Sequence, residues 1–222
     1  MDSLQRNGGT AGILSAVFLA LLFMIFLSTG LRAEAIADPA KVLPYIAQNT
    51  ARWKTVGLAG VLGVGFAVVF TAALYSRLRD RAPTRATAML YLVLIGLGAF
   101  GISSLLGLAG APRIAALAAS DPVAANHAYV AFYAVTQGLD AAGNGFTGAG
   151  TMLAGWAILA TAALSPLIGW LAVVTGILGV LLVFSPASPL LFLGSFILTI
   201  VWLAWAGFAL RQAHPVMEAA RA

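Results

Sequence analysis

Six long runs of apolar residues, separated by short polar connections, are the feature that most limits the folds open to this chain. The runs cover approximately residues 11–31, 53–76, 86–109, 135–164, 166–184 and 190–210. A helix needs about 20 predominantly apolar residues to cross the hydrocarbon core of a bilayer, and each run is close to that length or longer. The sequence therefore predicts an all-α, polytopic integral membrane protein. We expect a six-transmembrane-helix bundle in a single membrane domain over residues 1–222.

The composition agrees with this class. Hydrophobic residues make up 61% of the chain and charged residues only 9%, whereas soluble domains usually carry roughly 25% charged residues. The basic residues lie at span ends and in short loops, where they set topology, so the net charge of +5 does not indicate nucleic-acid binding. Cysteine is absent, and His127 and His214 cannot form a zinc site alone. We therefore expect no metal, no cofactor and no nucleic-acid partner.

The first run has two interpretations. Arg6 precedes it and Ala33-Glu34-Ala35 resembles a cleavage site, which together are typical of a secretory signal peptide. The apolar core is longer than the roughly 7–15 residues of a typical signal peptide, which favours an uncleaved membrane span. We expect residues 1–10, which are mostly polar, to be frayed.

Two Asp-Pro pairs predict helix starts in the polar connections, because aspartate caps a helix and proline fits its first turn. After Asp38-Pro39, an apolar face of Val42, Leu43, Ile46 and Ala47 predicts a short interfacial helix between spans 1 and 2, packed on the end of the bundle.

After Asp121-Pro122, the predicted helix continues into the fourth run as far as Leu164. That length of about 64 Å exceeds the bilayer core. We favour one projecting helix, and a break near the glycines between residues 138 and 150, giving seven spans, is the alternative.

The distribution of lysine and arginine predicts the orientation. One side of the bundle would carry seven of them and the other side five. The segment RLRDRAPTR at residues 77–85 holds four arginines in nine residues and tips the balance, because short loops dominate the positive-inside rule. We expect a multi-pass protein of the bacterial cytoplasmic (inner) membrane with both termini cytoplasmic.

Three segments carry a family resemblance. They are AGIL at the start of the first run, ADPAKVLPYIAQN and AALYSRLRDRAPTRA on either side of the second, and SPLIGWLAVVTGILG at the start of the fifth. Together they resemble a bacterial six-span membrane family known as domain-of-unknown-function family 4386. The family has no assigned activity, so the resemblance implies a six-span fold and no mechanism.

The fourth run carries the best candidate site, a polar stripe on one side of a helix. The stripe consists of Tyr133, Gln137, Asp140, Asn144, Thr147 and Thr151. At 100° per residue these positions fall within about 80° of one another, and we expect them to face the bundle interior. In one interpretation they line a cavity for a small polar ligand that opens to the extracytoplasmic side. In the other they hydrogen-bond across helices and fix the packing register.

Asp140 is the only acidic residue inside an apolar run. We expect it to stay ionised and to pair with a basic residue at the extracytoplasmic side, the candidates being Arg32, Arg52, Lys54 and Arg113. Six glycines between residues 138 and 155 would let neighbours approach on most sides. We therefore also expect the fourth span to be the centre of the bundle.

No catalytic constellation is found, so we expect no enzyme. Polar residues concentrate on one helix, and residues 1–110 do not match residues 111–222 as an inverted transporter repeat would. This favours a scaffold or accessory protein that sits in the lipid bilayer and binds lipid or a partner membrane subunit. A transporter or receptor with a polar cavity around Asp140 and Asn144 is the alternative. The oligomeric state stays open.

Overall fold

The computed structural model describes residues 3–31, 33–185 and 188–212 and is all-helical within them. The eight helices are α1 (Ser3–Leu27), α2 (Ala33–Ala37), α3 (Pro39–Gln48), α4 (Thr50–Leu78), α5 (Pro83–Leu117), α6 (Pro122–Thr161), α7 (Pro166–Phe184) and α8 (Pro189–Gln212). The predicted all-α class is confirmed.

Five of the described helices, α1, α4, α5, α7 and α8, are long and apolar enough to cross a membrane. The protein therefore has the helices of a polytopic membrane protein. α6 is not among the five, because glycine and threonine take many of the positions where the other helices carry leucine, isoleucine or valine.

The six long helices pack in chain order around a ring, which α8 closes by packing against α1. Neighbours run antiparallel, as Gly57 against Leu108 and Gly60 against Ser104 show for α4 and α5. α6 packs mainly against α5 and α7, so it is one member of the ring and the expectation of a central fourth span is wrong. A ring leaves each helix a face turned outward, and α6 exposes Trp156 there.

Large side chains fill the ring at the end where α4 stops and α5 begins. Phe70 and Trp202 meet edge to face with ring centroids 5.3 Å apart. Leu74, Leu78 and Ile158 are almost fully buried in the same cluster. This core includes residues from α1 and from α4 to α8, so it ties the ring together across its interior.

The polar N-terminal residues are part of α1, contrary to the expectation that they fray. The Gln5 side-chain amide donates to the backbone carbonyl of Ala73 at 3.0 Å. Gly9 and Gly207 bring α1 and α8 into backbone contact, since a Cβ on either would collide with the other's carbonyl oxygen. These contacts hold residues 3–10 in the helix despite their polarity.

At the other end of the ring, α3 covers the ends of α5 and α6. Asp38 caps α3 by accepting a hydrogen bond from the Ala40 backbone amide at 3.0 Å. Val42, Leu43 and Ile46 of the predicted apolar face are buried, whereas Ala47 is exposed. They pack on Ala111, Ala115, Ala125 and Tyr129, which makes α3 a lid over the α5–α6 pair.

α5 and α6 extend well beyond the apolar runs 86–109 and 135–164. α6 is one helix over its 40 residues, and Asp121 caps it by accepting from the Ala124 amide at 2.9 Å. It ends at Thr161, and the left-handed backbone of the next residue, Ala162 (φ 48°), stops the helix before the predicted Leu164.

Candidate functional site

Most side chains of the α6 polar stripe are at least partly buried in the ring, but the extent of burial differs among them. Thr151 is buried, and Tyr133, Asp140, Asn144 and Thr147 are half-buried. Gln137 is exposed. It lies at the edge of the stripe, where a turn of about 40° from the centre is enough to leave the packed face.

Two half-buried polar groups of the stripe bond to their own helix. The Asn144 side-chain Nδ2 donates to the Asp140 backbone carbonyl at 2.9 Å. The Thr147 hydroxyl donates to the Gly143 carbonyl, again one turn back. Such bonds satisfy a polar side chain in an apolar bundle without any ligand.

Asp140 lies next to Ser103 of α5, whose hydroxyl interacts with its carboxylate. The structure forms no ion pair between Asp140 and Arg52, Lys54 or Arg113, so pairing with these three is wrong. Among the described residues, ion pairs join Asp38 to Lys41 at 3.0 Å and Arg79 to Asp80 at 3.6 Å. The remaining candidate, Arg32, lies outside the described residues.

The helix register explains why Arg113 does not reach Asp140. α5 and α6 are antiparallel, with Gly96 against Thr147 and Gly110 against Phe132. This register puts Ser103 at the level of Asp140. Arg113 is ten residues further along α5, about 15 Å away along the helix axis. Arg52 and Lys54 are exposed near the start of α4.

Tyr133 belongs to an aromatic cluster beneath the α3 lid. It stacks on Tyr129 with ring centroids 6.3 Å apart, and Phe132 lies 5.8 Å from the same ring. Tyr129 is 1% exposed, and its hydroxyl donates to the Ile36 carbonyl at 2.9 Å. Burial raises the pKa of Tyr129, with Tyr133 adding to the shift, so the hydroxyl stays protonated and keeps donating.

Glycine lets the backbones on both sides of α6 touch. A Cβ at Gly148 would lie 2.8 Å from the Gly176 carbonyl oxygen of α7. A Cβ at Gly96 of α5 would lie 2.7 Å from the Thr147 backbone nitrogen. Gly155 and Gly169 repeat the α6–α7 contact two turns away. These backbone contacts leave no room for a solute to pass between α6 and its neighbours at those points.

Two grooves lie on the surface, away from the stripe. One, of about 600 Å³, lies between α4 and α5 at the lid end of the ring. The other, of about 260 Å³, lies at the opposite end, where Arg81 donates to the Thr161 carbonyl at 3.2 Å. Neither is lined by a residue of the stripe.

Ser103 and the groove are functional candidates that the sequence analysis missed. The signal for Ser103 is the Ser103-Ser104 pair inside an otherwise apolar run, where Ser104 faces Gly60 of α4. The signal for the groove is weaker, because Lys54 and Arg113 are 59 residues apart in sequence and meet only through the α4–α5 packing.

Within the described residues, no group of three or more His, Cys, Asp or Glu side chains is placed to hold a metal ion. Asp140 and Ser103 form a polar contact between α6 and α5. Comparisons of the chain with protein-family models, with curated proteins and with solved structures find no match in any of the three.

Proposed function

We propose that the chain is a six-span protein of the bacterial cytoplasmic membrane, with α6 as the fourth span. α6 packs lengthwise between α5 and α7, which are both apolar enough to cross a membrane. Residues 81–85, at the start of α5, line one groove with Ala160 and Thr161 of α6, so α6 ends and α7 begins at the end of the bundle where α5 also begins. This arrangement supports a return of α6 across the thickness that α5 crosses.

The orientation follows from charge. The connection between α4 and α5 carries the arginine cluster of residues 77–85, which the positive-inside rule assigns to the cytoplasm. Both termini belong at this end, and α3 lies at the opposite interface. We also propose that the chain belongs to the bacterial domain-of-unknown-function family 4386, on the three segments that resemble it.

For the role, we propose a scaffold or accessory protein that binds lipid or a partner membrane subunit. The observation that carries this proposal is the backbone contact along both sides of α6, at Gly148, Gly150 and Gly155. These contacts, with the local hydrogen bonds of Asn144 and Thr147, support a structural role for the polar stripe.

Purification in native lipid, followed by mass spectrometry of what copurifies, tests the role. We expect one lipid class or one membrane protein to be enriched over the surrounding membrane. If nothing is enriched, or a polar solute copurifies and is lost in Asp140→Asn, the scaffold role is contradicted.

A transporter or receptor is the second candidate. The observation that favours it is that Asp140 is half-buried and has no basic partner among the described residues. Ionisable residues inside membrane spans are rare and mark substrate or ion pathways. A thermal-shift screen with small polar solutes tests it: a solute that stabilises the wild type but not Asp140→Asn would support this role.

A further inference from the structure

The groove between α4 and α5 combines two basic side chains with an apolar floor. It has a volume of about 600 Å³ and is lined by Thr50, Lys54, Leu108, Ala109, Pro112, Arg113 and Ala116. Lys54 comes from the first turns of α4, and Arg113 from the last turns of α5. The packing of Gly57 on Leu108 brings these two ends together.

The two cations have no acidic partner in the described part of the chain. Lys54 and Arg113 are exposed, and neither forms an ion pair with an acidic residue in the part of the chain that the structure describes. Asp38 is the acidic residue closest along the chain to Lys54 in that part. Its carboxylate pairs with Lys41 and caps α3 instead. Two like charges facing one groove favour an anion between them.

The groove lies at the level of lipid headgroups. Both helices are long and apolar enough to span a membrane, and the groove is at the end of each. Trp53, adjacent to Lys54, donates from Nε1 to the Gly107 carbonyl at 3.1 Å, and tryptophan is enriched at this depth.

An apolar track continues from the groove toward the middle of the bilayer. Leu58 and Leu62 follow Lys54 at four-residue intervals on α4, and they are 49% and 37% exposed. Ala109 and Leu105 precede Arg113 at the same interval on α5, and Leu105 is 52% exposed. Residues four apart share a helix face, so these side chains line the path that an acyl chain would take.

Pro112 adds a hydrogen-bond acceptor to the groove. Proline has no N–H, so the Leu108 carbonyl lacks its regular helical partner. A headgroup with hydroxyls can donate to that oxygen while its phosphate contacts Lys54 and Arg113. We propose that this groove binds the headgroup of an anionic phospholipid of the phosphatidylglycerol type, an inference that rests on the proposed lipid-binding role and names its ligand.

The test uses the full chain in detergent and measures binding of phosphatidylglycerol, with phosphatidylcholine as the neutral comparison. The double variant Lys54→Gln/Arg113→Gln removes both groove cations. The matched control, Lys41→Gln/Arg52→Gln, removes the same charge at the same end of the bundle from residues that do not line the groove. We expect the groove variant to bind phosphatidylglycerol about 30-fold more weakly, and the control to change little. All four side chains are exposed, and the surface ion pair of Lys41 with Asp38 contributes little to stability, so both variants should unfold close to the wild-type temperature without added lipid.

Four results would overturn the proposal. Equal weakening in both double variants would mean diffuse charge attraction and no defined site. Equal affinity of the wild type for phosphatidylglycerol and phosphatidylcholine would show that the two cations do not determine binding. Competition by soluble glycerol 3-phosphate as strong as that of the lipid would make the groove a site for a soluble phosphate. If lipid copurifies but resists both double variants, only the groove assignment fails, whereas absence of any enriched lipid or protein contradicts the proposed function itself.

Discussion

Ala162 holds a left-handed backbone conformation at the end of α6, with φ 48° and ψ 31°. The alanine Cβ is sterically unfavourable in this region, whereas glycine has no Cβ and adopts it readily. The residue is exposed, so no packing contact compensates for the cost. The strain is the consequence of stopping α6 sharply before α7 begins at Pro166.

We predict that Ala162→Gly stabilises the protein by about 1 kcal/mol, because it relieves this strain. Ala160→Gly is the matched control, since Ala160 is also exposed but helical, and it should destabilise by about 1 kcal/mol. Thermal unfolding in detergent measures both. Destabilisation by both variants would show that Ala162 is not strained.

Asp140 sits beside Ser103 and has no basic partner among the described residues. We therefore predict that Asp140→Asn, which keeps the shape and a hydrogen-bonding group, lowers the free energy of unfolding by less than about 1 kcal/mol. Breaking a buried ion pair would cost about 3–5 kcal/mol. A loss of that size in denaturant unfolding would contradict this account and would indicate a basic partner, with Arg32 the first to test.

At the scale of elements, glycine spacing sets how α6 meets α7. Gly148 faces Gly176 and Gly155 faces Gly169, so both helices repeat the contact at an interval of seven residues. That interval keeps the contact on one face of each antiparallel helix. The same glycines make α6 less apolar than the other long helices. This is why α6 is not among the five helices that are apolar enough to cross a membrane.

We predict that Gly148→Leu destabilises the protein by about 3 kcal/mol or more, because a Cβ there meets backbone of α7 at 2.8–3.0 Å. Gly145→Leu should cost less, since only the flexible Val183 side chain is close. Leu105→Ala should change stability by about 0.5 kcal/mol or less, because Leu105 is at the surface of the bundle. The order of the three melting temperatures checks this, and equal tolerance would place α6 outside the packed ring.

The sequence predicted elements better than contacts. Asp38 and Asp121 marked two helix starts correctly, because capping depends on residues within one turn. It did not predict Ser103 opposite Asp140, since the register of α5 against α6 depends on which side chains fit between helices. It also missed the helix over residues 3–10, where polarity suggested fraying but Gly9 packs on Gly207, far along the chain.

At the scale of the whole molecule, the antiparallel ring brings the start of α1 and the end of α8 to one face. α1 begins where α8 ends, as the contact between Gly9 and Gly207 shows. In the proposed six-span topology an even number of crossings places them there, and α6 supplies the crossing that apolarity alone does not identify. The proposed topology therefore depends on α6 crossing the bilayer.

The absence of cysteine from the chain makes one measurement direct, because a single introduced cysteine is the only thiol. Ser120 and Ser165 flank α6 and are both exposed. In intact cells, a membrane-impermeant maleimide should label Ser120→Cys, whereas Ser165→Cys should react only after the cells are lysed. Labelling of both positions from the same side would contradict the crossing by α6.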